Sequence, residues 1–192
     1  MDQALVSRAK EGDREAFALI VDASFDRCHE IARRVLGENH LAQDATQTAM
    51  LSMWRDLPKL RDADRFEAWA YRITVHACYA EAKRARRAIP AIADPDDRPV
   101  ITDEFGTIID RDQLERAFSR QKLEHRAVLV LRYYLDMPVD EIASTLDLPA
   151  GTVKSRIHHA LKAMRATLDA DDRPPSGGSP AMNDISIGQA AR

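Results

Sequence analysis

Apolar residues recur every three to four positions along most of this chain, and a period of two is nowhere sustained, so the pattern predicts helices almost throughout. A short helix over 3–10 ends at Gly12. Asp13 caps a long helix whose apolar face is Phe17, Ile20, Val21, Phe25, Cys28, Ile31, Ala32 and Val35, closed by Gly37. A third helix runs from about Leu41 to Arg55, offering Ala45, Met50, Leu51 and Trp54 for packing. A polar loop follows over 58–64. Then Phe66, Trp69, Ala70, Ile73, Ala77 and Ala80 keep helical spacing over 65–87. Residues 1–88 therefore read as one helical domain.

The pattern breaks over 89–110, where three prolines and the run Asp94-Pro95-Asp96-Asp97 mark a flexible acidic linker. Helices resume at about 111–123 and 125–135, followed by a short pair at 138–161. From residue 170 onward the composition is that of a disordered tail. The expected fold is all-α: two small helical domains joined by the linker, with the second over 111–169.

The pair at 138–161 carries the chemistry. Ile142, Ala143 and Leu146 share one face of the first short helix, and small Ala143 lets the second helix cross closely. Leu148 plugs the turn, and Pro149, Gly151 and Thr152 open the next helix. Val153, Ile157, Leu161 and Met164 keep the inward spacing. Thr152, Lys154, Ser155, Arg156, His158 and His159 are thereby turned outward or to the flanks. Hydroxyls and amides at a helix start hold phosphate, while Lys and Arg reach phosphates or guanine edges. That is a helix-turn-helix built to enter a DNA major groove; the plainer reading is a helical hairpin with a solvated polar face. Adjacent His158 and His159 diverge by about 100° on a helix, which disfavours a shared metal ion.

The net charge of −3 looks unsuited to nucleic acid, but it is unevenly distributed. Residues 1–90 carry +1, 91–112 carry −5, 113–168 carry +3 and 169–192 carry −2. The acid is concentrated in the linker and tail, whereas Lys83-Arg84-Ala85-Arg86-Arg87 places four cations in five positions at a helix end. No apolar run approaches the roughly 20 residues of a membrane span. The N-terminus lacks a signal pattern, and Cys28 and Cys78 are isolated. A cytoplasmic protein with reduced, buried thiols is expected, with no membrane insertion. No Gly-rich phosphate loop, Cys/His metal spacing or nucleophile with an evident base points to an enzyme, a metal or a cofactor.

Several motifs together resemble bacterial RNA polymerase sigma factors of the extracytoplasmic-function type, within the sigma-70 class. The C-terminal set is Leu131-Arg132-Tyr133-Tyr134, Glu141-Ile142-Ala143 and Gly151-Thr152-Val153-Lys154-Ser155-Arg156-Ile157 with Ala160-Leu161. The N-terminal set is Gly12-Asp13 with Ala16-Phe17, Asp44-Ala45-Thr46-Gln47 leading to Trp54-Arg55, and Phe66-Glu67-Ala68-Trp69-Ala70-Tyr71-Arg72-Ile73. The likeness covers roughly residues 1–168.

The resemblance implies a division of labour. The helix at 41–55 resembles the part that binds core RNA polymerase, with Asp44, Gln47, Met50 and Trp54 as contacts, although Met50 and Trp54 read equally well as packing residues. The segment 58–87 resembles the part that opens the −10 promoter element and captures an unpaired base; Lys59, Arg61, Arg65, Arg72, His76 and Tyr79 are its candidates, with Lys83, Arg84, Arg86 and Arg87 on phosphate. The helix-turn-helix is expected at the −35 element. The family also implies an anti-sigma factor as partner, and a linker that threads positively lined polymerase channels. Leu41, Gln43, Met50, His76, Ala80 and His159 depart from the family's usual residues. They bear on promoter choice, and His76 and His159 suggest a pH-sensitive affinity for DNA. The alternative is a two-domain helix-turn-helix regulator that binds operator DNA by itself.

Overall fold

The computed structural model describes residues 1–88 and 109–171, and every element among them is helical. In chain order they are α1 (Gln3–Lys10), α2 (Arg14–Leu36), α3 (Asn39–Asp56), α4 (Phe66–Ala88), α5 (Ile109–Ser119), α6 (Leu123–Leu129), α7 (Val139–Leu146) and α8 (Ala150–Asp171). Short 3-10 turns at Leu57–Lys59 and Ala63–Arg65 occupy the polar loop between α3 and α4. The linker beyond residue 88 and the tail beyond 171 lie outside the described residues.

In the first domain α2, α3 and α4 pack on one another, with α1 laid against α2. The start of α2 is fixed by Asp13, whose carboxylate accepts from the amides of Glu15 and Ala16, both at 3.0 Å. Gly37 ends the helix in the left-handed region at φ 75°, where a residue without Cβ is favoured. The shared core is Ile20, Ile31, Val35, Met53, Leu57, Phe66 and Val75, all essentially inaccessible to solvent. Full burial of such a side chain stabilises by about 1.5–3 kcal/mol.

Four expectations drawn from periodicity are corrected. Phe25 lies outside the inner face of α2 and stacks on His29 with ring centroids 6.0 Å apart. Leu51 on α3 and Leu161 on α8 are exposed, because Leu41, Ala42, Ala45, Ala49 and Met53 on α3, and Val153, Ala160 and Met164 on α8, fill the inner stripes. Ala80 also faces out. A fifth difference is local: the helix expected over 125–135 is α6 followed by a π-type turn over Val130–Tyr134.

The second domain gathers α5, α6 and α7 around α8. It packs on the first: α6 against the C-terminal end of α2, and α7 against α4. One continuous apolar cluster runs from Val6 and Ile20 through Cys78 and Ala82 to Val128, Leu131, Ile142 and Val153. Cys28 and Cys78 are free and buried. Burial raises the thiol pKa of Cys28 and pushes that of Cys78 up to about 12, so both stay protonated and inert.

Candidate nucleic-acid interface

An open groove runs between α3 and α4. Thr48, Ser52, Arg55, Asp56 and Lys59 form one wall, and Trp69, Arg72, Ile73, His76, Ala77 and Ala80 the other. Three of the expected promoter residues, Lys59, Arg72 and His76, meet here. Apart from Lys59, the first wall was not anticipated as a site, although Thr48, Ser52 and Arg55 follow one another at steps of four and three, a polar stripe legible in the sequence. Asp56 accepts from Arg55 at 2.9 Å and Lys59 at 2.7 Å, and these two cations, Arg55 foremost, hold its carboxyl down to about 2. The carboxylate thus orients two cations at the mouth of the groove. His76 is kept below its ordinary value, first by desolvation and then by Arg72, with Asp147 opposing. It is therefore a neutral imidazole at pH 7, able to donate to or accept from a base edge.

Other expected residues are distributed around this groove. Arg61 and Arg65 are exposed in the loop that precedes α4, and Arg65 approaches the Ser144 hydroxyl at 3.5 Å. Lys83, Arg84, Arg86 and Arg87 are exposed along the last turns of α4. Arg84 pairs with the buried carboxylate of Glu81 and, at 3.0 Å, with Asp44 of α3. The basic run is thereby anchored to the helix expected to bind polymerase. Tyr79 points elsewhere: its hydroxyl is buried with no hydrogen-bond partner among the described residues, and burial pushes its pKa up to about 12. Its charged neighbours, Arg156 and Glu124, belong to the second domain.

On the outer face of α3, Asp44, Gln47, Leu51 and Trp54 follow at steps of three and four. Trp54 is 39% exposed and Leu51 72%, while Met50 is half-buried. The Trp54 ring rests on Phe17 of α2 at 4.8 Å and 58°, and the two line a shallow depression with Arg14. Leu51 was expected to pack inward and instead completes an apolar surface patch.

In the helix-turn-helix, α7 buries Ile142, Ala143, Thr145 and Leu146, and Asp147 makes the left-handed turn at φ 56°. Asparagine and aspartate tolerate that region better than other side chains, which suits the position. Lys154, Ser155, His158 and His159 are exposed at the start of α8, with Thr152 and Arg156 half-buried. The Ser155 hydroxyl donates to the Thr152 carbonyl at 2.9 Å. The rings of His158 and His159 stand edge-on with centroids 5.5 Å apart, and no group of three or more metal-ligating side chains exists among the described residues. No helix among the described residues is long and apolar enough to cross a membrane.

Comparisons with known proteins identify the family. The family model of sigma-70 region 2 matches residues 20–88, and that of sigma-70 region 4 matches residues 111–164. The chain is 29% identical over 182 residues to the ECF RNA polymerase sigma factor SigW of Bacillus subtilis, covering 85% of this chain and 94% of that one. It is 32% identical over 141 residues to the ECF RNA polymerase sigma factor SigL of Mycobacterium tuberculosis, covering 71% and 80%. Among solved structures it is similar in fold to CnrH in complex with the cytosolic domain of CnrY, at TM-score 0.64, 24% identity and coverage of 88% and 98%. It is similar in the same way to the sigma factor RpoE in complex with the anti-sigma factor NepR from Bartonella quintana, at TM-score 0.62, 16% identity and coverage of 81% and 98%. The chain belongs to the extracytoplasmic-function sigma factors of the sigma-70 family, non-enzymatic proteins that direct RNA polymerase to promoters.

Proposed function

We propose that the two domains divide promoter recognition, with the α3–α4 groove taking the −10 element and the start of α8 the −35 element. The observation that carries this is the groove itself: cations at its mouth (Arg55, Lys59, Arg72) flank an aromatic and imidazole wall (Trp69, His76). Such a surface suits a melted strand, whose phosphates meet the cations while an extruded base stacks on a π-face. Arg61, Arg65, Lys83, Arg84, Arg86 and Arg87 extend the positive track along the duplex. At the other element Lys154 and Arg156 reach phosphate or guanine, and Thr152, Ser155, His158 and His159 flank them.

Core RNA polymerase docks on the outer face of α3 through Asp44, Gln47, Leu51 and Trp54, with Met50 supporting from the side. The protein works in the cytoplasm, needs no cofactor, and is silenced by an anti-sigma factor. Residues 1–88 and 111–169 are the functional units, with the acidic linker between them threading a positively lined channel of the polymerase. Run-off transcription with purified core polymerase on a genomic fragment library tests the whole reading. Promoter-specific transcripts that require both proteins are expected. Specific binding to duplex DNA without polymerase, and no transcripts, would instead identify an operator-binding regulator.

A further inference from the structure

Glu81 puts a carboxylate where helix packing calls for an apolar side chain. It stands on α4 between the buried residues Cys78 and Ala82 and is itself 6% exposed. Arg84, one turn further along, donates to its Oε1 from Nε at 2.8 Å. The same guanidinium crosses to α3, where Nη2 donates to Asp44 Oδ2 at 3.0 Å. Asp44 is half-exposed there, in line with Gln47, Leu51 and Trp54 on the face assigned to polymerase. A staple between α3 and α4 is the plainest role for such a bridge. The apolar core already joins those helices, however, and an ion pair made by an arginine 67% exposed adds little stability. A staple alone therefore does not offset the cost of an interior carboxylate.

We infer that Glu81 is a positioning residue for polymerase docking: through Arg84 it holds the Asp44 carboxylate in place and keeps that part of the docking face negative. The inference rests on the assignment of the outer face of α3 to polymerase made above. Arg84 alone would orient Asp44 but cancel its charge. With Glu81 included, two carboxylates and one guanidinium leave one net negative charge beside the docking face. An ionised carboxylate only accepts hydrogen bonds, so the polymerase group that Asp44 serves is a donor. A cationic donor gains most from the retained charge. Fixing Asp44 before the partner arrives also lowers the ordering cost of association. Arg84 keeps its place in the basic run, because its Nη1 has no partner among the described residues and is left for phosphate.

The test uses the full chain with Glu81→Gln, which keeps the shape of the side chain and removes its charge. Arg84 is largely exposed, so the change strands no cation in the interior. Purified core polymerase is titrated with the parent, Glu81→Gln, Asp44→Asn and the double variant, from low to moderate salt, with circular dichroism reading the fold. Glu81→Gln is expected to weaken binding about three- to tenfold and to flatten its salt dependence. In the Asp44→Asn background it should cost nothing more, since Glu81 acts only through Asp44. A merely structural Glu81 would leave the salt dependence as it was and add its loss to that of Asp44→Asn; either result overturns the inference. If Glu81→Gln does not fold, Arg84→Lys takes its place, because a point charge cannot serve both carboxylates as the planar fork does. The same loss is then expected, and parent-like affinity overturns the inference. Failure of the polymerase assignment looks different: Asp44→Asn and Leu51→Ala would then both bind as the parent does, and the role of Glu81 falls with the docking face.

Discussion

Arg126 caps Leu36: a guanidinium from the second domain donates at 3.2 Å to the carbonyl that ends α2 of the first. Gly37, at φ 75°, sits against that contact and has two reasons to lack a side chain. Gly37→Ala is expected to destabilise the chain by about 1–2 kcal/mol from the left-handed backbone alone. The methyl group crowding Arg126 adds to this. Urea unfolding of Gly37→Ala, Arg126→Met and the double variant separates the two effects. The crowding part vanishes in the double variant, leaving a negative coupling energy; strict additivity would show that the methyl does not press on the guanidinium.

The start of the fold was legible because local signals agree there: Asp13 and Gly37 bracket α2 as a capping residue and a left-handed glycine should. Arg126 shows where legibility stopped. Its neighbours at helical spacing, Leu123, Leu129 and Val130, place it on an apolar stripe, but a lone arginine in a charged chain reads as solvated until its acceptor, 90 residues away, is known. Phe25, Leu51 and Leu161 erred in the opposite direction. Periodicity identifies a face but not how wide the neighbouring helix covers it, and the small residues Ala45, Ala49 and Ala160 let that cover be narrow. The candidate site followed the same division. Single helices showed their cationic ends, whereas the groove wall of Thr48, Ser52 and Arg55 became a site only when α4 was laid beside it.

Ala143 is buried where α7 crosses α8. Ala143→Leu inserts three carbons into that crossing, and overpacking costs about 1–3 kcal/mol. A lower urea midpoint with loss of −35 duplex binding is expected, while −10 strand binding persists. Full −35 affinity in this variant would show that the crossing distance does not set the reading geometry.

His76 and His125 both titrate below their ordinary value in the folded chain, chiefly because burial disfavours the cation; Arg72 adds to the effect at His76, and Lys122 at His125. The unfolded chain therefore binds protons first as the pH falls. Stability is fully present above about 6.5 and declines as the pH drops through the folded values. Asp147 and Glu124 oppose the trend without reversing it. A urea midpoint that falls between pH 7 and 5, with a shallower fall in His76→Asn, is the expected outcome. Equal slopes in the two proteins would remove His76 from the account.

Lys154 is exposed and Arg156 half-buried on the first turns of α8. Lys154→Ala is expected to weaken binding to all duplexes alike and to reduce the salt slope by about 1, as loss of one phosphate contact does. Arg156→Ala should cost about 1–3 kcal/mol on the cognate −35 duplex and relax its sequence preference. Affinity measured from low to moderate salt on cognate and scrambled duplexes distinguishes the two roles. Identical losses on both sequences for Arg156→Ala would assign it to phosphate.

Leu51 offers the sharpest separation of folding from function, because it is 72% exposed yet lies in line with Asp44, Gln47 and Trp54. A side chain so accessible contributes little to the fold, so Leu51→Ala should move stability by no more than about 0.5 kcal/mol. At an interface the same leucine becomes buried, and losing its contact should weaken core polymerase binding by about 1–2 kcal/mol, or roughly five- to thirtyfold. Trp54 divides differently, since its ring already rests on Phe17. Trp54→Ala should lower both stability and polymerase affinity. Urea unfolding and a titration with purified core polymerase, run on both variants, give four numbers. If Leu51→Ala binds as the parent does, the outer face of α3 is not where polymerase docks.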